Sequence, residues 1–205
     1  MPQHGADIVR AAPRLTDRRI GLLGGSFNPA HEGHVHVSLE ALKRLGLDEV
    51  WWLVSPQNPL KATDGMARLK ERMAAARAVT APHPRLRVTD LERELGTRYT
   101  IDTVRALRRR YRRARFVWLM GADNLRQLPR WKDWPALVES IPIAVIDRAG
   151  FAPAALSGAP AHRYAGARLP PGAARSLADR AAPAWTFLYT RLNPLSATAL
   201  RNHQI

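Results

Sequence analysis

Gly24-Gly25-Ser26-Phe27-Asn28-Pro29-Ala30-His31-Glu32-Gly33-His34 follows the short apolar run Ile20-Gly21-Leu22-Leu23 and opens an amphipathic stretch over 35–45. A buried strand, a glycine turn with two histidines and a helix start together make a phosphate site. Glycine lets the backbone come close to a ligand. The free N–H groups and the dipole at a helix start favour negative charge there. His31 and His34, three apart, can both face what is bound. Gly-Gly after a strand also occurs in ordinary turns. Histidines at this spacing can bind zinc, but the chain has no cysteine and no H-E-x-x-H, so carboxylates from elsewhere would be needed. Neither G-x-G-x-x-G nor G-x-x-x-x-G-K-[ST] is present, which argues against a dinucleotide fingerprint and a P-loop.

Outward from this segment, apolar runs alternate with helical patterns. Residues 20–23, 50–54, 86–88, 116–120, 141–146 and 185–189 read as strands. Residues 35–45, 66–79 and 100–113 read as helices, Thr100 as an N-cap with Thr103 behind it, and two short helical pieces are broken by Pro129 and Pro135. Residues 56–65 form a polar loop, and 150–183, rich in Ala, Pro and Gly, is expected to be the least ordered part. A last helix starts at Ser196. Strand and helix in alternation predict an α/β fold: a Rossmann-like, doubly wound parallel sheet with helices on both faces and a C-terminal helical element. Ligands of such sheets bind beyond the carboxyl ends of the strands, at the topological switch point.

The length of 205 residues fits one domain over 19–205, preceded by a flexible extension over 1–18. Residues 1–19 lack the apolar centre of a signal peptide, and no stretch approaches the ~18 apolar residues of a membrane span. Without cysteine, disulfides and thiol mechanisms are excluded, and a cytoplasmic location is expected. The net charge of +15 invites a nucleic-acid reading. The excess is arginine, however, and its densest block, 105–115, covers one predicted helix outside the stripe of Ile101, Val104, Leu107 and Tyr111. A solvated face explains that block. No recognition-helix or RNP-like pattern accompanies it, so salt-sensitive contact with RNA is expected and specific nucleic-acid binding is not.

A second constellation is Asn193-Pro194-Leu195-Ser196-Ala197-Thr198-Ala199-Leu200-Arg201. Ser196 can cap the helix, and the N–H groups beyond it with the Thr198 hydroxyl offer a second anion site. Arg201 can fork onto phosphate oxygens. Alone this is an ordinary capped helix; beside the histidine turn it becomes the other jaw of a triphosphate clamp.

His31-Glu32-Gly33-His34 resembles the H-x-G-H signature of the nucleotidyltransferase superfamily. The C-terminal segment resembles its S-[ST]-T-x-[IV]-R signature, with Ala197 and Leu200 departing from it. Further segments narrow the resemblance to the bacterial nicotinate-nucleotide adenylyltransferases. They are Ser55-Pro56-Gln57-Asn58-Pro59-Leu60-Lys61, Tyr99-Thr100-Ile101-Asp102-Thr103, Gly121-Ala122-Asp123-Asn124-Leu125, Trp131-Lys132-Asp133-Trp134 and Asp147-Arg148. Their order and spacing match over 19–201, and Asn28 stands where many superfamily members carry Asp.

The resemblance implies adenylyl transfer from ATP to nicotinate mononucleotide, giving deamido-NAD and pyrophosphate in NAD biosynthesis. It implies His31, His34, Lys61 and Arg201 as catalytic groups. ATP would meet Gly24, Gly25, Ser26, Phe27, His31, His34, Ser196, Thr198 and Arg201. The mononucleotide would meet Thr100, Asp102, Gly121, Asp123, Trp131 and Arg148, with Trp131 stacked on the pyridinium ring. Mg2+ would come with ATP, keeping its waters, and no residue is assigned to a protein metal cage. The alternatives are a sister transferase for nicotinamide mononucleotide or another phosphorylated acceptor, a basic RNA-binding module, and an inactive structural relative.

Overall fold

The structure, a computed structural model, describes residues 15–56, 65–147 and 151–190. The apolar runs become the strands β1 (Arg19–Gly25), β2 (Glu49–Val54), β3 (Leu86–Thr89), β4 (Arg115–Gly121), β5 (Ile143–Ile146), β6 (Arg168–Leu169) and β7 (Trp185–Leu188). They form one sheet in the order β3-β2-β1-β4-β5-β7-β6, every neighbouring pair parallel. The helices are α1 (Glu32–Leu45), α2 (Leu69–Thr80), α3 (Leu91–Glu94), α4 (Thr100–Arg110), α5 (Ala122–Gln127), α6 (Trp134–Ser140), α7 (Ala152–Leu156) and α8 (Ala159–Arg163). A 3-10 stretch covers Pro171–Asp179.

Alternation along each strand splits the core between the two faces of the sheet. Ile20, Leu22, Trp51, Leu53, Phe116, Trp118, Met120, Ile143 and Val145 pack with residues of α4, α5, α6, α7 and α8. Leu23, Val50, Trp52, Val54, Val117, Leu119, Ala144 and Ile146 pack with α1, α2 and the 3-10 stretch. The chain runs outward from β1 to β3, then returns to place β4 on the other side of β1. The carboxyl ends of β1 and β4 therefore flank the switch point, where the doubly wound reading puts a ligand.

The structure departs from the sequence reading in several places. The segment expected to be least ordered carries α7, α8, β6 and the 3-10 stretch over its described residues 151–183, with Ala155, Ala161, Ala174, Leu177 and Ala178 buried. Pro153, Pro160 and Pro171 stand in the first turns of α7, α8 and the 3-10 stretch, where the missing N–H costs nothing. The N-cap of α4 is Tyr99 rather than Thr100; the Thr103 hydroxyl bonds the Tyr99 carbonyl and the Thr97 hydroxyl instead. The same helix ends at Arg110, not 113, because Tyr111 folds its ring into the core against Trp51 and Phe116. Of the expected extension, 1–14 lies outside the described residues, while Leu15 is buried and the Asp17 N–H bonds the Arg113 carbonyl at 2.8 Å. The helix expected from Ser196 also lies outside the described residues.

Candidate active site

The turn between β1 and α1 is built from side chains as much as from glycine. His31 is the N-cap of α1 and 6% exposed. Its Nδ1 accepts the Gly33 N–H at 3.1 Å, and Nδ1 of His34 accepts the His31 N–H at 3.3 Å. This is a capping box made of two imidazoles. A ring nitrogen that accepts carries no proton, so each neutral ring carries its proton on Nε2. The two ring centroids lie 3.9 Å apart. The sequence singled out the pair; the structure adds the tautomer.

The left-handed residue of the turn is Phe27, at φ 46°. For an L residue that conformation costs about 1–2 kcal/mol. The Phe27 ring stacks on Trp52 at 4.8 Å and 9°, and meets the His34 ring at 4.9 Å. The Trp52 indole N–H donates to the Ser38 hydroxyl, which donates to the His34 carbonyl, both at 2.8 Å. Ser38 thereby locks the first turn of α1 onto β2. Sequence reasoning missed it, although a serine four residues after His34 on a helix is a known backbone-bonding position.

Gly24 is required by packing. A Cβ there would lie 2.6 Å from the Trp118 ring. The Trp118 ring also meets Trp131 edge-on at 6.3 Å and 88°. One β4 side chain thus touches both the glycine turn and the tryptophan expected to stack on a pyridine. Asn28 uses both ends of its amide: Nδ2 donates to the Gly65 carbonyl at 3.0 Å, and Oδ1 accepts the Ala67 N–H at 3.2 Å. An aspartate could not make the first of these.

Across the switch point, Gly121 ends β4 and caps α5, whose first turn holds Asp123. The register Leu23↔Leu119 puts Gly25 and Gly121 on adjoining strand ends. Thr100 opens α4, and Asp102 in the same first turn pairs with Lys132 at 3.2 Å. The Lys132 ammonium lies 4.4 Å from the Tyr99 ring centroid, so Trp131-Lys132 is tied to the start of α4. Gly24 and Gly25 thus end β1 beside Gly121 at the end of β4, with Ser26, Phe27, His31 and His34 following β1 and Asp123 following Gly121, while Lys132, next to Trp131, contacts Asp102 and the Tyr99 ring. Asp147 follows β5 and donates its N–H to the Leu188 carbonyl. Lys61, Arg148, Ser196, Thr198 and Arg201 lie outside the described residues.

Two buried charged side chains flank the end of β2. Arg72 donates only to backbone carbonyls, and burial lowers its pKa. Burial pushes the Glu92 carboxyl up to about 7, against the opposing pull of a hydrogen bond with the Ser55 side chain. No cluster of three His, Cys, Asp or Glu suited to a metal occurs among the described residues. The groups at the histidine turn are donors, complementary to an anion. No described helix is long and apolar enough to cross a membrane.

Residues 22–203 match the cytidylyltransferase-like family. The chain is 56% identical over 183 residues to a Ruegeria pomeroyi protein named "Probable nicotinate-nucleotide adenylyltransferase", covering 89% of this chain and 84% of that one. It is 55% identical over 184 residues to a Bradyrhizobium sp. (strain BTAi1) protein of the same name, covering 90% and 95%. The fold is similar to the Plasmodium falciparum nicotinic acid mononucleotide adenylyltransferase complexed with NaAD, with a TM-score of 0.68 at 15% identity, over 90% of this chain and 83% of that one. The chain accordingly belongs to the nicotinate-nucleotide adenylyltransferases, nucleotidyltransferase enzymes of the cytidylyltransferase-like family.

Proposed function

We propose that the protein transfers an adenylyl group from ATP to nicotinate mononucleotide, releasing deamido-NAD and pyrophosphate for NAD biosynthesis in the cytoplasm. The observation that carries this reading is the imidazole capping box, which fixes His31 and His34 at the helix start just beyond β1, beside the switch point of the sheet. A mononucleotide phosphate oxygen attacks the α-phosphorus of ATP. The bond from that phosphorus to the bridging oxygen breaks, and its electrons leave with pyrophosphate. No covalent enzyme intermediate forms, so catalysis is positioning and charge stabilisation.

In this reading His34 and His31 donate from Nε2 to phosphate oxygens, strengthening as charge develops. Gly24 and Gly25 leave room for the nucleotide, and the backbone of Ser26 and Phe27 faces the phosphates. Lys61, Ser196, Thr198 and Arg201 complete the clamp. Mg2+ brought with ATP would supply further charge neutralisation, with no residue of this chain assigned to hold it. The mononucleotide side uses Trp131 as a stacking face, Thr100 with the start of α4 as donors to the nicotinate carboxylate, and Asp123 with the Gly121 turn as acceptors for ribose. Asp102 acts through Lys132 to hold Trp131 in place, and Arg148 adds a positive charge.

Pyrophosphate release from Mg-ATP, measured in parallel with nicotinate mononucleotide, nicotinamide mononucleotide and 4′-phosphopantetheine, tests the reading. A kcat/KM at least tenfold higher for the first acceptor is expected, since a site built to bond a charged group rejects its analogue strongly. Preference for another acceptor would overturn the substrate. Absence of release with all three would overturn the reaction.

A further inference from the structure

Among the described residues, Arg72 is the only buried lysine or arginine, at 2% exposure. It stands on α2, and its guanidinium gathers three separate segments. Nη1 donates to the Ser26 carbonyl at 2.6 Å and the Ser55 carbonyl at 2.8 Å, Nη2 to Pro56 at 3.0 Å, and Nε to Ala67 at 2.9 Å. Ala67 is gripped from both sides, since its N–H goes to Asn28. These four bonds all run to uncharged carbonyls. Burying an ion without an opposite charge in contact is costly, and an apolar side chain would serve mere packing better. The retained charge therefore calls for an explanation in the site.

The peptide plane supplies one. Carbonyl and N–H point to opposite sides of a trans peptide. Because Arg72 draws the Ser26 carbonyl beneath the turn, the N–H of the same peptide, that of Phe27, is turned away from Arg72. The next torsion is the strained φ of 46° at Phe27. Backbone in that region persists only where its surroundings fix it. The Trp52 stack holds the ring and Arg72 holds the preceding carbonyl.

We propose that Arg72 is a positioning residue for adenylyl transfer: it draws the ends of β1 and β2 together, turns the Phe27 N–H toward the triphosphate, and places a buried positive charge behind it. This rests on the reading of the histidine turn as the ATP site. Lysine at this position keeps the charge but cannot reach four diverging carbonyls. The test compares wild type, Arg72→Lys and Arg72→Met by thermal unfolding, by calorimetric binding of a non-hydrolysable ATP analogue and of nicotinate mononucleotide, and by steady-state kinetics. Arg72→Lys is expected to fold, with Kd for the analogue and KM for ATP raised about tenfold or more, as befits lost charge-assisted bonds. Its KM for the mononucleotide should stay within about twofold, and Arg72→Met should lose more affinity for the analogue than Arg72→Lys. Equal weakening of both ligands, or of neither, would overturn the proposal, as would an Arg72→Lys chain that does not fold. If Arg72→Met does not fold, Arg72→Lys decides alone. Binding needs no turnover, so a wild type that binds the analogue but turns over no pyridine mononucleotide would sink the substrate reading and leave this comparison standing.

Discussion

In the proposed reaction His34 has two tasks that chemistry can separate. Its Nδ1 completes the capping box, and its Nε2 is the atom proposed to meet phosphate. Glutamine at this helix position is the ordinary capping-box partner. His34→Gln should therefore keep the melting temperature near that of wild type while kcat falls roughly 10²–10⁴-fold, the range for a side chain acting in the transition state. Turnover within a few-fold of wild type would remove the imidazole from the mechanism. The histidines were legible in the sequence because strand, glycine turn and helix start are local signals. Ser38 and Arg72 were not. Their roles depend on Trp52, Ser26 and Ser55 arriving from other elements, and neither residue type announces burial.

Among the elements, the ones with clear periodicity were read correctly, and those whose order comes from tertiary packing were not. The four-residue α3 was missed, and it carries the Glu92 carboxyl against the end of β2. With its pKa raised from 4.5 to about 7, this carboxyl holds its proton more tightly in the folded chain than in the unfolded one. Its contribution to stability is complete below the unfolded value of 4.5 and is lost as pH rises through about 7. That interval corresponds to about 3 kcal/mol. Glu92→Gln should abolish this slope, so the variant gains on wild type as pH rises across the interval. Urea midpoints of both proteins measured through it would show the gap widening; parallel curves would mean that the burial of Glu92 is not felt as charge. The residues from 151 to 183 were misread for a different reason. Alanine and proline look like loop in composition, yet small side chains in short proline-started turns pack closely on β5 and β7. The Trp185 indole adds a bond to the Tyr164 carbonyl at 2.7 Å.

At the scale of the molecule, alternation alone predicted the parallel sheet, while strand order had to come from the structure. The central strand β1 pairs with β2 soon after it in the chain, but its other partner is β4, with Arg19 opposite Arg115. Residues Ile20 and Leu22 lie on the face that packs with Phe116 and Trp118. A chain ending before β4 therefore lacks one neighbour of β1 and much of one core. It should show no cooperative urea transition and should be cut readily by protease under conditions where the full chain resists. A cooperative transition in the truncated chain would mean that β1, β2 and β3 fold as a unit of their own. The same delay has a meaning in time. At about 5–20 residues per second, the ribosome finishes β4 roughly 5–20 s after β1. During synthesis the glycine turn and its histidines wait for that interval with one apolar edge uncovered, open to any chaperone that binds nascent chains.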